Sequence, residues 1–280
     1  MTTTHELSVS TPEVEVRIGA RTGVVLAVAS LAGLLLFVWP LLIPAPDGWT
    51  HTQDAPIVFA ALVPVVVLLV LAQLSDGGMD TRTLALLGVL TAINAALRPA
   101  LGAGTAGIES VFFLLVLCGR AFGPGFGFVL GTTSMAASAL FTAGVGPWLP
   151  FQMLAAGWVG LGAGLLPGRG RGRARLGELG MLIVYAIVAA YFYGAIMNLW
   201  SWPTLTGIAT PGFTGSAGGL DYVPGAPLPA NLRRFVLYTL LTSTAGWDTG
   251  RAIGTSVALA VLGRPILDVL HRAARRARLS

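Results

Sequence analysis

The chain contains no lysine. That excludes a Walker A phosphate loop, whose lysine reaches the terminal phosphates of a nucleotide, and it excludes Schiff-base chemistry on a lysine amine. Histidine is nearly absent: His5, His51 and His271 all fall outside the long apolar runs. Neither an H-E-x-x-H zinc helix nor an intramembrane Ser–His pair can be assembled from them. The phrase GTSVA at 254–258 therefore reads as small-residue packing, not as a hydrolase elbow. A single cysteine, Cys118, allows no internal disulfide and no cysteine metal cluster. No catalytic residue, metal site or cofactor is expected. Charge is also scarce. Charged residues make up 10% and hydrophobic residues 55% of the 280 residues, with a mean hydropathy of +0.78. A water-soluble chain of this length needs more charge to cover its surface.

What is present is a series of apolar runs of membrane-spanning length. They lie at about 23–43, 56–74, 83–98, 107–119, 122–142, 148–167, 178–199 and 245–263. The fourth is short for a span and is expected to tilt in a thinned bilayer or to continue into its neighbours. The class this predicts is an all-α, polytopic membrane helical bundle. All seventeen basic residues are arginine, clustered beside the apolar runs, as at Arg169, Arg171, Arg173 and Arg175 and at Arg272, Arg275, Arg276 and Arg278. That is the pattern of anchoring against anionic headgroups on the cytoplasmic side of a cell membrane, with the bilayer and not nucleic acid as partner. Placing both termini inside puts thirteen of the arginines on the cytoplasmic face; Arg98, Arg233 and Arg234 are the exceptions, and Arg251 lies within the eighth run.

Composition divides the chain. Residues 1–22 read as a polar cytoplasmic tail, and the first apolar run as retained, since it is too long for a signal-peptide core. Residues 23–77 form a two-helix anchor without ionisable groups in the bilayer. After the linker QLSDGGMDTRT (73–83), residues 78–264 form a six-helix core, followed by a basic tail at 265–280. The stretch 200–230 reads as a long outward loop rich in Gly, Pro and aromatics, and loops of that length are usually functional or disordered.

Two features carry chemistry. Gly88, Ala92 and Ala96 recur every four residues and give one face of the third run small side chains, which lets another helix approach closely in lipid. The partner is either a neighbour in the chain or a second subunit; the similar series Gly123, Gly127 and Gly131 is expected to pack internally. The second feature is a convergence of polar groups toward the outer ends of the core: Asn94, Arg98, Glu109, Trp148, Gln152, Asn198, Asp248 and Arg251. Polar groups at membrane depth are costly and mark cavities or pathways. Asp248 and Arg251 are three apart and share a helix face, which suits a structural ion pair as well as a binding site. Trp148, Trp200, Trp202 and Trp247 suit an interfacial belt as well as a cavity wall.

The stretch 84–167, from LALLGVLTAINAALRPALGAGTAGIESVFFLLVLCGRAFGPGFGFVLG through ASALFTAGVGPWLPFQMLAAGWVGLGAGLLP, resembles the S components of energy-coupling factor (ECF) transporters. The ending GWDTGRAIGTSVALAVLGRPIL (246–267) resembles the family's last span. The resemblance implies a six-helix protein that binds a vitamin or metal in an outward cavity and topples in the membrane to release it. It implies as partners a transmembrane coupling subunit and two ATPases. It also implies that an A-x-x-x-A motif on the first core helix docks the coupling subunit; Gly88, Ala92 and Ala96 occupy that helix, with Gly departing at the first position. Among branches, the sequence looks most like actinobacterial cobalamin-type members.

The expected function is therefore a non-enzymatic vitamin-binding subunit, with cobalamin or a related corrinoid first. The loops 102–107 and 200–230 are expected to gate it. The alternative is an integral-membrane enzyme acting on a lipid or isoprenoid, with Glu109, Asp248 and Arg251 as its polar site; a scaffold without ligand is the third reading.

Overall fold

Helices set the architecture because apolar segments in a bilayer must satisfy their own backbone hydrogen bonds. The structure, a computed structural model, describes residues 20–42, 55–75, 79–100, 111–142, 144–168, 176–204 and 220–278. Among them every regular element is helical: α1 (Ala20–Leu42), α2 (Ala55–Ser75), α3 (Thr81–Ala100), α4 (Val111–Phe122), α5 (Pro124–Phe141), α6 (Leu149–Leu165), α7 (Leu176–Thr204), α8 (Leu228–Thr239), a π-helical segment (Leu240–Asp248) and α9 (Thr249–Arg278). Pro124–Phe141, Leu176–Pro203 and Leu228–Arg276 are long and apolar enough to cross a membrane, and α1, α2, α4 and α6 contain shorter apolar stretches. This is a helical membrane bundle.

Seven of the eight predicted runs coincide with α1 to α7 within a few residues. The eighth begins far earlier than its apolar stretch. The backbone stays helical at Thr239, Leu240 and Thr249, so α8, the π segment and α9 form one unbroken helix over 228–278. At about 1.5 Å per residue it is about 75 Å long, well beyond a hydrocarbon core of about 30 Å. The basic stretch expected as a tail after 264 is the helical end of α9, through Arg278.

The core is built around α4. All twelve of its residues are buried, among α5, α6, α7 and α9. A helix of that length is about 18 Å long. Over its described residues it is surrounded by protein. It ends where Gly123 adopts φ 112°, a left-handed conformation that favours glycine, and Pro124 restarts the chain as α5.

Helices α5 and α6 pack antiparallel with backbones in contact. A Cβ built on Gly127 would meet the Gly160 carbonyl, and one on Gly131 would meet the Ala156 carbonyl. Gly119 of α4 faces the same Gly160 carbonyl. The four-residue glycine series of α5 thus packs internally. Helix α1 packs on α6: Ser30 accepts a 2.8 Å hydrogen bond from Trp158 Nε1, and Phe37 meets Phe151 edge-on at 4.8 Å.

At the end of the bundle holding the α4 and α9 C-termini, Arg120 is buried and pairs with Glu178 Oε1 at 2.6 Å. Its Nη1 also donates to the carbonyls of Leu166 and Pro167. Its charge ties the α6 and α7 ends together.

Candidate functional site

Asp248 closes the π segment and is 1% exposed, one turn before Arg251, which is 7% exposed. Arg251 Nη1 donates to Asp248 Oδ1 at 3.1 Å, and Ser243 Oγ donates to Asp248 Oδ2 at 2.8 Å. The guanidinium lies over the rings of Tyr193, 4.9 Å from its centroid, and Phe112, at 5.4 Å. A π-helical turn is wider than an α turn and often occurs at functional sites; here it sets Ser243 and Asp248 five residues apart yet hydrogen-bonded. Space for the carboxylate comes from Gly194 of α7, where any Cβ would collide with Asp248. Beside it, Tyr191 and Thr249 share a 2.9 Å hydrogen bond. The site therefore joins α4, α7, the π segment and α9 around one buried ion pair.

A second polar group lies between α3 and α5. Asn94 Nδ2 donates to Ser134 Oγ at 3.0 Å, Arg98 Nη1 donates to Ser138 Oγ at 3.0 Å, and Thr91 and Thr133 meet at 3.0 Å. Ser134 and Ser138 also donate to carbonyls of their own helix, so each hydroxyl is held in place by its own turn. Asn94 is fully buried and its Oδ1 has no hydrogen-bond partner. Buried polar atoms without partners are rare and call for an explanation such as a ligand or water.

The other predicted residues are spread out. Trp148 is 41% exposed and its indole N–H donates to the Gly144 carbonyl in its own turn. Gln152 is half-buried one turn into α6. Asn198 is half-buried on α7, with an Nδ2 that is buried and unpartnered. Glu109 and the loop 102–107 lie outside the described residues, as does 205–219 within the long loop. The structure thus brings Asp248 and Arg251 together, and Asn94 and Arg98 onto one zipper, but does not join the full set.

The tryptophans also separate. Trp148 and Trp247 are exposed, as an interfacial belt requires, whereas Trp200 and Trp202 are 4% and 3% exposed. Trp202 is enclosed by Tyr222, Phe235 and Tyr238 at centroid distances of 5.5, 5.6 and 6.3 Å, and its N–H donates to the Leu220 carbonyl at 2.9 Å. Burial raises the Tyr222 phenol above its ordinary pKa. A turn follows at 223–226, where Gly225 takes φ 74° after Pro224, the Pro-Gly arrangement of a type II turn. Asn231 holds it from α8, accepting from Val223 N and donating to Val223 O.

Helix α3 shows two different faces. Asn94 and Arg98 face α5, while Gly88, Ala92 and Ala96 are exposed and a Cβ on Gly88 would touch nothing within 4 Å. Among the described residues the small-residue face has no partner helix.

Fold and site together define a membrane-embedded helical bundle with an ion pair in its interior. No group of three or more metal-ligating side chains occurs among the described residues. The profile of the ECF transporter substrate-specific component matches residues 82–245, and the chain belongs to that family. It is accordingly the substrate-binding subunit of an ECF importer, a transport protein and not an enzyme, whose partners are coupling and ATPase subunits. The lipid- or isoprenoid-processing alternative is not favoured by this membership. No curated protein and no solved structure matches the chain. The match begins at α3 and leaves α1 and α2 outside it.

Proposed function

We propose that this subunit captures a vitamin from outside the cell, a cobalamin-like corrinoid first, and docks on its coupling subunit through α3. The observation that carries the docking role is the bare face of Gly88, Ala92 and Ala96, opposite a face zippered to α5. Tight helix association in lipid depends on such small residues, and no segment among the described residues covers them. Residues 78–264 act as the working core, and 23–77 as an added anchor.

Asn94, Arg98, Glu109, Trp148, Gln152, Asn198, Asp248 and Arg251 remain the candidate substrate residues. The unpartnered atoms of Asn94 and Asn198 support a polar contact to ligand. The aromatic group around Trp202, beside the Gly- and Pro-rich 205–219 sequence, suits a large flat ring system. That end faces outward and both termini are cytoplasmic, as the arginine distribution favours.

Ligand identification tests the reading: the protein is purified in mild detergent from cells fed mixed vitamins, and released small molecules are analysed by mass spectrometry. Near-stoichiometric corrinoid is expected. Another vitamin would overturn the corrinoid choice alone, and an empty protein that brings down no ATPase would overturn the transport reading. Docking is tested separately with Ala92→Leu. The variant should keep its unfolding midpoint, because residue 92 is exposed, yet recover about tenfold less coupling subunit on co-purification. Undiminished recovery would rule out α3 as the docking face.

A further inference from the structure

The first turns of α3 and the last turns of α9 enclose a groove of about 370 Å³, lined by Arg82, Leu86, Val269, Arg272, Ala273 and Arg276. The three arginines come from two helices and are exposed. Among the described residues none of them makes a hydrogen bond or salt bridge, unlike Arg120 and Arg251, which are held in buried ion pairs. The lining contains no acid. Asp80 lies beside Arg82, but its Oδ1 accepts the Thr83 N–H at 2.8 Å and caps α3, and this bonding lowers its pKa. Asp268 sits one turn before Arg272 and is outside the lining.

The floor of the groove is apolar, and it does not stop at the arginines. From it, exposed Val89 and Ile93 continue along α3, and exposed Leu262 and Val261 continue along α9. A surface with cations at one end and exposed hydrocarbon along the rest matches an anionic amphiphile. A small soluble anion would leave the floor uncovered, and an acidic peptide would not use the apolar faces of both helices deeper in the bilayer. Basic pockets between membrane helices are suited to phosphate-bearing headgroups, and three guanidinium groups favour a headgroup with two phosphates over one with a single charge.

We propose that this groove is a specific site for an anionic phospholipid, its phosphates held by Arg82, Arg272 and Arg276 and its acyl chains lying along α3 and α9. The assignment is independent of which vitamin the subunit carries. Such a lipid bridges α3 and α9 at their charged end.

The full chain in neutral detergent is titrated with tetraoleoyl cardiolipin or dioleoylphosphatidylcholine, and bound lipid is counted by native mass spectrometry. Cardiolipin should bind in preference. The double variant Arg272→Gln/Arg276→Gln should bind it about 25-fold more weakly, at about fivefold per arginine. Arg275→Gln, exposed on the same turn but outside the lining, should bind unchanged. Since all three positions are exposed, equal unfolding midpoints are expected and are measured alongside. Four results would overturn the site: no preference for cardiolipin, an equal loss with Arg275→Gln, equal competition by inorganic phosphate, or loss of coupling-subunit recovery in the double variant without loss of lipid. The last would make the groove a protein interface.

Discussion

Gly160→Leu is expected to leave no folded protein, whereas Gly180→Leu should be tolerated. Both glycines lie within apolar helices, and sequence does not separate them. At Gly160 a side chain would meet the backbone carbonyl of Gly127 across the α5–α6 contact, and Gly119 of α4 packs against the Gly160 carbonyl. Overpacking a core typically costs about 1–3 kcal/mol when neighbouring side chains can shift. Here the obstacle is the backbone of α5, which can give way only if α5 and α6 separate. At Gly180 nothing lies within 4 Å, and the position faces outward. Size-exclusion profiles of the two variants in detergent check the contrast. A monodisperse Gly160→Leu protein would show that the three-helix contact is looser than described.

The second large effect is expected at the ion pair. Asp248→Ala leaves the Arg251 guanidinium buried without its carboxylate, and breaking one side of a buried pair costs about 3–5 kcal/mol. Unfolding in detergent should show it as a large drop in midpoint. Removing both charges with Asp248→Leu/Arg251→Leu should recover much of the loss, because well-packed apolar residues often replace a buried pair without penalty. The double variant also separates the two roles open to the pair. If Asp248 and Arg251 contact substrate, the restored protein will not retain ligand. If it retains ligand fully, the pair only holds α4, α7 and α9 together. A single Asp248→Ala variant as stable as the unaltered protein would remove the structural reading.

Much of the fold was legible because membrane spans announce themselves by length and composition. α1 to α7 lie where apolar runs predict them. α8 escaped because its residues are mixed, with Arg233 and Arg234 among apolar ones, so hydropathy gave no sign that helix continues from Leu228 to the last span. The two faces of α3 were readable in part. Asn94 lies two residues from both Ala92 and Ala96, about 200° around the helix, so the polar and small residues had to point apart. What the sequence could not show was which face met its own chain.

Site residues were less legible for a related reason. Asp248 and Arg251 stood out by charge, but their surroundings come from distant segments: Ser243 through a π turn, Gly194 and Tyr193 from α7, Phe112 from α4. None has a spacing that marks it. Ser134 and Ser138 look like ordinary small residues of an apolar helix until Asn94 and Arg98 are placed opposite them. Arg120 resembles any other interfacial arginine, and only the approach of α7 turns it toward Glu178. Trp202 shows the same limit: its neighbours Phe235 and Tyr238 belong to α8, which composition did not reveal.

Cys118 sits in the middle of α4 with no exposed surface, and there is no lysine anywhere in the chain. To thiol- and amine-directed reagents the folded side chains are therefore silent, and no cysteine-free background has to be made first. A cysteine introduced at Val223, in the turn before the 228–278 helix, or at Arg275, near that helix's far end, both exposed, would be the single addressable thiol. A dye that cannot cross the bilayer would then report directly which end faces the medium, and a pair of such labels would follow any rotation of that helix during transport.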